Sequence, residues 1–203
     1  MNIIFATANA DKLNEIKEIM QGLGMPVISM KEAEIFTDVA ETGATFRENA
    51  AIKARAIHAN ALAGGLSSAI VMADDSGLEI DYLNKEPGVY SARYLGTDTS
   101  YRVKNQNLID RLAGVPDERR SARFVCAVAA VLPSGELMEA EGLMEGRIAY
   151  GESGDNGFGY DPIFFLPEYN MTSASLPPEV KNAISHRGKA LREMKKKLEN
   201  LDC

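Results

Sequence analysis

Short apolar runs alternate with amphipathic stretches along most of the chain. Residues 2–7 (NIIFAT) read as a first strand, and the apolar positions that follow, Leu13, Ile16, Met20 and Leu23, recur at spacings of three and four, the period of a helix face. Asn9 or Asp11 can cap that helix, and Gly22 and Gly24 end it. A short strand is expected within residues 25–30. Thr45-Phe46-Arg47-Glu48 has the form of a capping box and opens a second helix with Phe46, Ala50, Ala54, Ile57 and Ala61 on one face. Gly64-Gly65 stops it. The next run, AIVMA at 69–73, has the length and β-branched content of a buried strand, which puts Asp74 and Asp75 at a strand end with Ser76-Gly77 as turn chemistry.

Residues 77–82 can then form a strand that turns back, Pro87-Gly88 reads as a turn, and 100–112 as a moderately amphipathic helix. Residues 122–132 (ARFVCAVAAVL), the turn Pro133-Ser134-Gly135 and residues 136–148 predict a long antiparallel hairpin. The segment 151–159 is glycine-rich and irregular, 163–166 is a short apolar strand, and 185–201 is a closing helix with Leu191, Met194, Leu198 and Leu201 inward. Helices alternating with strands, plus one hairpin, predict an α/β fold with a mixed sheet.

With 203 residues, 45% hydrophobic and 25% charged, the composition is that of a globular chain, and one folded unit is expected. A net charge of -7 argues against a general nucleic-acid or anionic-membrane binder, which presents a broad basic face. The two cysteines, Cys126 in an apolar run and Cys203 at the end, form neither a disulfide framework nor a zinc spacing, which suits a reducing cytoplasm. The opening residues lack the basic lead and cleavage site of a signal peptide, and no apolar span approaches membrane length.

Against this acidic background, four segments and the Asp74-Asp75 pair stand out. At Thr7-Ala8-Asn9-Ala10-Asp11-Lys12 a strand turns into a helix. Backbone N–H groups at a helix N-terminus form a phosphate site to which Lys12 adds a full charge, although an ordinary cap has the same form and the Walker A glycines are absent. Glu41-Thr42-Gly43 precedes the capping box, where the helix dipole favours an acid whatever its role. Lys53, at the edge of the apolar stripe, either snorkels or meets a phosphate. In Ser153-Gly154-Asp155-Asn156-Gly157-Phe158-Gly159-Tyr160-Asp161, the aromatic between two glycines either plugs the core or stacks on a flat ligand such as a base. Residues 181–189 (KNAISHRGK) gather Lys181, His186, Arg187 and Lys189 at a helix start, where cations oppose the dipole and a bound polyanion would explain them. The Asp74-Asp75 pair is either turn chemistry or a divalent-cation site at a strand end. The combination describes a nucleoside triphosphate held with a metal.

These motifs, FATANADK, ETGATFRENAAIKA, ADDSGLEID with PGVYSARY, ARFVCAV, NGFGYDPIFF and KNAISHRGKAL, run in order along nearly the whole chain. In that order the chain resembles the inosine triphosphate pyrophosphatase family, also called dITP/XTP pyrophosphatases. The resemblance implies an elongated mixed β-sheet with flanking helices, two lobes around a central active-site cleft, a single catalytic domain over 1–203, and a homodimer. It implies hydrolysis of purine nucleoside triphosphates with Mg²⁺. Thr7, Ala8, Asn9, Ala10, Asp11 and Lys12 would line the triphosphate, with Lys53 and Lys181 adding charge. Asp75 would bind metal and accept a proton, and Ser76 would touch substrate. Phe158, Gly159, Tyr160 and Asp161, with His186 and Arg187, would contact the base. Relatives carry an acid beside the Glu-Thr-Gly segment as second metal ligand; here Ala40 precedes it, which leaves Glu41. Asn156 stands where many relatives have glycine. Two other classes, a triphosphate sensor without hydrolysis and a structural dimer, are compatible with parts of the pattern, but the sensor does not need Asp75 and the structural dimer leaves the glycine loop unexplained.

Overall fold

In a computed structural model of the chain, residues 1–7 and 10–201 are described, apart from the side chains of Ala10 and Asp11. Among the described residues seven strands form one sheet: β1 (Ile3–Phe5), β2 (Val27–Ser29), β3 (Ile70–Ile80), β4 (Ser121–Val131), β5 (Leu137–Ile148), β6 (Phe164–Leu166) and β7 (Met171–Thr172). Their order is β2-β1-β3-β4-β5-β6-β7. The β1 strand pairs in parallel with both β2 and β3, in registers that set Ile3 against Val27 and Ile70. Parallel neighbours need crossovers, which α1 (Ala10–Ile19) and α2 (Phe46–Ala63) supply. The far edge is antiparallel, β5 with β6 and β6 with β7. The expected mixed sheet is therefore present.

Among the described residues three further α-helices follow: α3 (Tyr101–Arg111), α4 (Pro178–Ile184) and α5 (His186–Glu199). The sequence pattern predicted one closing helix from 185; the structure adds α4, separated from α5 by Ser185 in extended backbone. Seven residues starting at Pro178 are too short to show a helical period, which is why the pattern is silent there.

The larger correction concerns β3. It does not stop at Ala73 but runs through Asp74, Asp75, Ser76 and Gly77 to Ile80, so residues 77–82 are not a second strand turning back. Asp and Gly are poor strand formers in isolation, but pairing in the sheet, where β4 is the neighbour of β3 on the side away from β1 and β1 itself pairs only with Ile70–Met72, overrides that weak preference.

The chain divides into two compact units. The first comprises Met1–Asp75, Cys126–Gly142 and Arg187–Cys203; the second comprises Ser76–Val125 and Leu143–His186. Strands β3, β4 and β5 contribute residues to both. The first has a core of Ile3, Phe5, Ile70 and Met72 from the sheet with Ile16, Met20, Leu191 and Met194 from α1 and α5 and the turn after α1. The second packs Leu78, Ile80, Leu108, Leu112, Phe124 and Phe164. Cys126 is a buried free thiol whose burial pushes its ionisation upward, which fits its place in an apolar run.

The capping box at α2 forms as the sequence predicts. Thr45 Oγ1 accepts the Glu48 N–H at 3.1 Å, and Glu48 Oε2 accepts from Thr45 N at 3.3 Å and Ala44 N at 2.7 Å. The predicted stripe of Phe46, Ala50, Ala54, Ile57 and Ala61 is buried. Replacing Thr45 by Ala leaves an N-terminal amide unsatisfied, and chemical denaturation should report a loss of about 1 kcal/mol.

Candidate active site

Period two along β3 decides where its carboxylates point. Ile70 and Met72 face the core shared with α1 and α5, and Asp74 continues that face. Its carboxylate, 3% exposed, accepts hydrogen bonds from Lys12 Nζ and from Arg187 Nε, both at 3.3 Å. Arg187 also reaches Glu15 Oε2 at 3.4 Å. Asp75 points to the opposite face, toward α2, where Asn49 Nδ2 donates to its Oδ2 at 3.0 Å. The adjacent acids therefore do not form a chelating pair with each other.

Their electrostatic states differ accordingly. Burial opposes ionisation of Asp74, but the combined charge of Lys12, Arg187 and Lys53 outweighs it and holds the carboxyl well below the usual carboxylate range. Asp75 goes the other way and is pushed up to about 6. Burial is the main cause, and repulsion from Glu41 and Asp74 adds to it, while the Asn49 hydrogen bond and Lys53 oppose it.

Lys53 joins the two acids. Its ammonium pairs with the Glu41 carboxylate and donates to the Asp74 carbonyl at 3.1 Å, so the lysine at the edge of the stripe is held by partners rather than snorkelling into water. Asn49 Oδ1 accepts the Gly43 N–H at 2.7 Å, which ties the turn after Glu41 to the residue that holds Asp75. A Cβ on Gly43 would lie 2.6 Å from Glu48 Cβ and 2.8 Å from Asn49 Oδ1, so only glycine fits there.

Thr7 follows β1 directly, its N–H donating to Phe5 O at 2.9 Å, while Ala6 N bonds Met72 O on β3. Ala10, Asp11 and Lys12 open α1; Ala8 and Asn9, like the side chains of Ala10 and Asp11, lie outside the described residues.

The second unit carries the glycine loop. Phe158 is 52% exposed, which excludes the core-plug alternative. It stands between Gly157 and Gly159, both left-handed at φ +78 and +69. Tyr160 and Asp161 turn inward. Tyr160 donates through its hydroxyl to Ser91 O at 2.7 Å. Asp161 Oδ2 accepts from Phe158 N at 2.9 Å and Lys181 Nζ at 2.5 Å, and its Oδ1 accepts from Ser173 Oγ at 2.7 Å. Lys181 Nζ also lies 5.2 Å from the centroid of the Phe158 ring. His186 is buried with its ring stacked on Phe124 at 4.9 Å and 14°. Ser76 is half-buried on β3.

Glu15, Asn49 and Ser173 escaped the sequence reading. Asn49 had a signal, a polar residue three positions after Phe46 and next to Ala50 within the buried stripe. Glu15 and Ser173 had none, because their partners are distant in the chain.

The implied metal fits the donors on α2's side of β3. Glu41 and Asp75 offer hard oxygen ligands, near enough to one another for the Glu41 charge to act on Asp75. Among the described residues no group of three or more His, Cys, Asp or Glu could hold a metal ion.

A seven-stranded mixed sheet flanked by helices, with a cation-held carboxylate on its inner strand β3, defines an α/β protein. The chain belongs to the Ham1 family, whose sequence model matches residues 3–197. It is 48% identical to the dITP/XTP pyrophosphatase of Clostridium perfringens, over 98% of this chain and 97% of that protein. To the dITP/XTP pyrophosphatase of Nitratidesulfovibrio vulgaris it is 47% identical, over 95% and 93%. Among solved structures it superposes on a HAM1 protein from Coxiella burnetii with a TM-score of 0.88 at 40% identity, covering 98% of both chains. The Staphylococcus aureus Ham1 protein gives 0.89 at 39%, covering 100% of both.

Two substitutions on β3 should act in opposite directions on stability when measured by denaturation in EDTA at pH 7.5. Asp75 has a folded pKa above its unfolded value near 3.9, so its stabilising contribution is present below pH 4 and is lost as pH rises through about 6. Asp75→Asn removes that cost and should stabilise by roughly 1–2 kcal/mol, allowing for partial exposure. Asp74→Asn strands buried cations and should destabilise by about 3 kcal/mol.

Proposed function

We propose that the chain is a nucleoside triphosphate pyrophosphatase acting on deaminated purine nucleotides, ITP, dITP and XTP, which it hydrolyses to the monophosphate and pyrophosphate before polymerases incorporate them. The observation that carries this reading is Asp75, a half-buried carboxylate raised to about 6 and held by Asn49, next in the chain to a network of cations anchored on Asp74. A general base works best with a pKa near the operating pH, and above pH 6 this one is ionised and ready to take a proton.

Water attacks the α-phosphorus, a new P–O bond forms as the bond to the bridging α–β oxygen breaks, and the water's proton passes to Asp75. Thr7, Ala8, Asn9, Ala10 and Asp11 line the triphosphate, where N–H groups at the start of α1 favour phosphate, and Lys12, Lys53 and Lys181 offset its negative charge. Ser76 follows the base on β3 and contacts substrate. Glu41 and Asp75 would hold Mg²⁺, which when bound supplies positive charge to the phosphate oxygens.

The base is assigned to Phe158, whose exposed ring between two glycines suits stacking. Gly159 gives the backbone close approach. Tyr160, Asp161 and His186, all buried, shape that surface rather than stack on the base, and Asp161 does so through Phe158 N. Hypoxanthine and xanthine present an O6 acceptor where adenine has an amino donor, so N–H groups of the loop donate to the first and mispair with the second, while Arg187, buried on Asp74, acts through that ion pair. The whole chain, 1–203, acts as one catalytic domain in a cytoplasmic homodimer. It takes neither nucleic acid nor membrane as partner, and among the described residues no helix is long and apolar enough to cross a membrane.

Pyrophosphate release from ITP, XTP, dITP, ATP and GTP tests the reading. With Mg²⁺ the 6-keto deaminated purines should react far faster than ATP, EDTA should abolish the reaction, and Asp75→Asn should lower kcat by at least about 10³. Binding of ITP with no hydrolysis by the wild type would replace the enzyme with a sensor.

A further inference from the structure

The inward face of α3 is made of groups that a helix rarely buries. Lys104 and Asn105, each 1% exposed, share that face with Leu108. A buried polar side chain costs free energy unless it is hydrogen-bonded, so the partners of these two say what the face is for. Lys104 Nζ donates to Ala92 O at 2.6 Å, holding the helical turns at Gly88–Arg93. The neighbouring Ser91 accepts the Tyr160 hydroxyl on its carbonyl, and its Oγ accepts Leu78 N at 2.9 Å. Asn105 reaches the glycine loop itself. Its Nδ2 donates to Gly159 O at 3.2 Å and to Glu152 Oε1 at 2.8 Å. Both neighbours are acceptors, which fixes the amide with its NH₂ toward them, and Oδ1 accepts no hydrogen bond from a described residue.

Phe158 thus has its backbone pinned on both sides. Asp161 takes its N–H, and the carbonyl of the next residue, Gly159, is held by Asn105. The segment holds two left-handed glycines, Gly157 just before the first bond and Gly159 carrying the second, which by themselves leave it many conformations. Tyr101, one turn before Asn105, adds an edge contact to the Tyr160 ring at 5.2 Å, and its ring would lie 3.5 Å from a Cβ on Gly159.

We propose that Asn105 is a positioning residue for purine recognition: by holding the Gly159 carbonyl it sets the place of the Phe158 ring and the loop N–H groups against the base. The inference rests on the assignment of the 157–161 loop to the base. Its effect is confined to the nucleobase, because Asn105 touches none of the groups assigned to phosphate or metal.

The test compares Asn105→Leu and Phe158→Ala with the wild type, measuring kcat and KM for ITP and inhibition by inorganic tripolyphosphate, which has phosphates but no base. For Asn105→Leu, KM for ITP should rise about five- to tenfold, the scale of one lost hydrogen bond, with kcat held within about twofold and tripolyphosphate inhibition unchanged. A parallel loss of tripolyphosphate inhibition would make Asn105 a general structural residue and overturn the proposal. So would an unchanged KM in Asn105→Leu alongside a raised KM in Phe158→Ala. An unchanged KM in Phe158→Ala would remove the loop from base recognition and take the proposal with it. Should the leucine variant not fold, Asn105→Ser, whose shorter hydroxyl does not span to Gly159 O, is measured the same way.

Discussion

The first unit is organised by one buried carboxylate. Asp74 is nearly inaccessible and ionised, a state that is tolerable only because Lys12 from α1 and Arg187 from α5 converge on it and Lys53 from α2 adds its charge. Three helices are thereby referred to one position on β3. Removing any one cation would leave negative charge in a low-dielectric setting, so the network holds as a set rather than as separate pairs. Strand alternation then places Asp75 on the other face, next to Glu41 and Asn49, where burial, with smaller repulsion from Glu41 and Asp74, raises it. Two adjacent aspartates thus hold opposite electrostatic states because each faces a different set of partners.

The second unit uses the same device. Asp161, also buried, gathers Phe158 N, Ser173 Oγ and Lys181 Nζ, and so shapes the glycine loop from inside. A Cβ on Gly157 would lie 2.4 Å from Asp161 Oδ2 and 2.6 Å from Lys181 Nζ, so the glycine is demanded by this ion pair as well as by its backbone angle. Within the NGFGYD segment, the exposed aromatic side chain is Phe158, and the buried Tyr160 and Asp161 act on it through the backbone. Glycine supplies the shape of the loop and buried polar contacts supply its rigidity, a division that loops used for recognition need because their own entropy opposes a single conformation.

Much of this architecture was legible in the chain. The capping box, the α2 stripe, the β4–β5 hairpin and the α1 face all rest on local periodicity or on contacts three or four residues apart, where sequence spacing and spatial neighbourhood coincide. The ordered motifs also identified the family over nearly the whole length. Composition and periodicity could not show that β3 continues through Asp74-Asp75-Ser76-Gly77, because local preference there favours a turn and only pairing within the sheet reverses it. Nor could they reveal that Arg187 meets Asp74 across 113 positions, or that Asn105 meets Gly159 across 54. The sequence by itself determined which residue types were available, which segments were helix or strand, and which family the chain joins. Tertiary structure alone decided which carboxylate is neutralised and which is raised, and which way the loop turns each side chain, because protonation and orientation depend on burial and on partners that lie far apart along the chain.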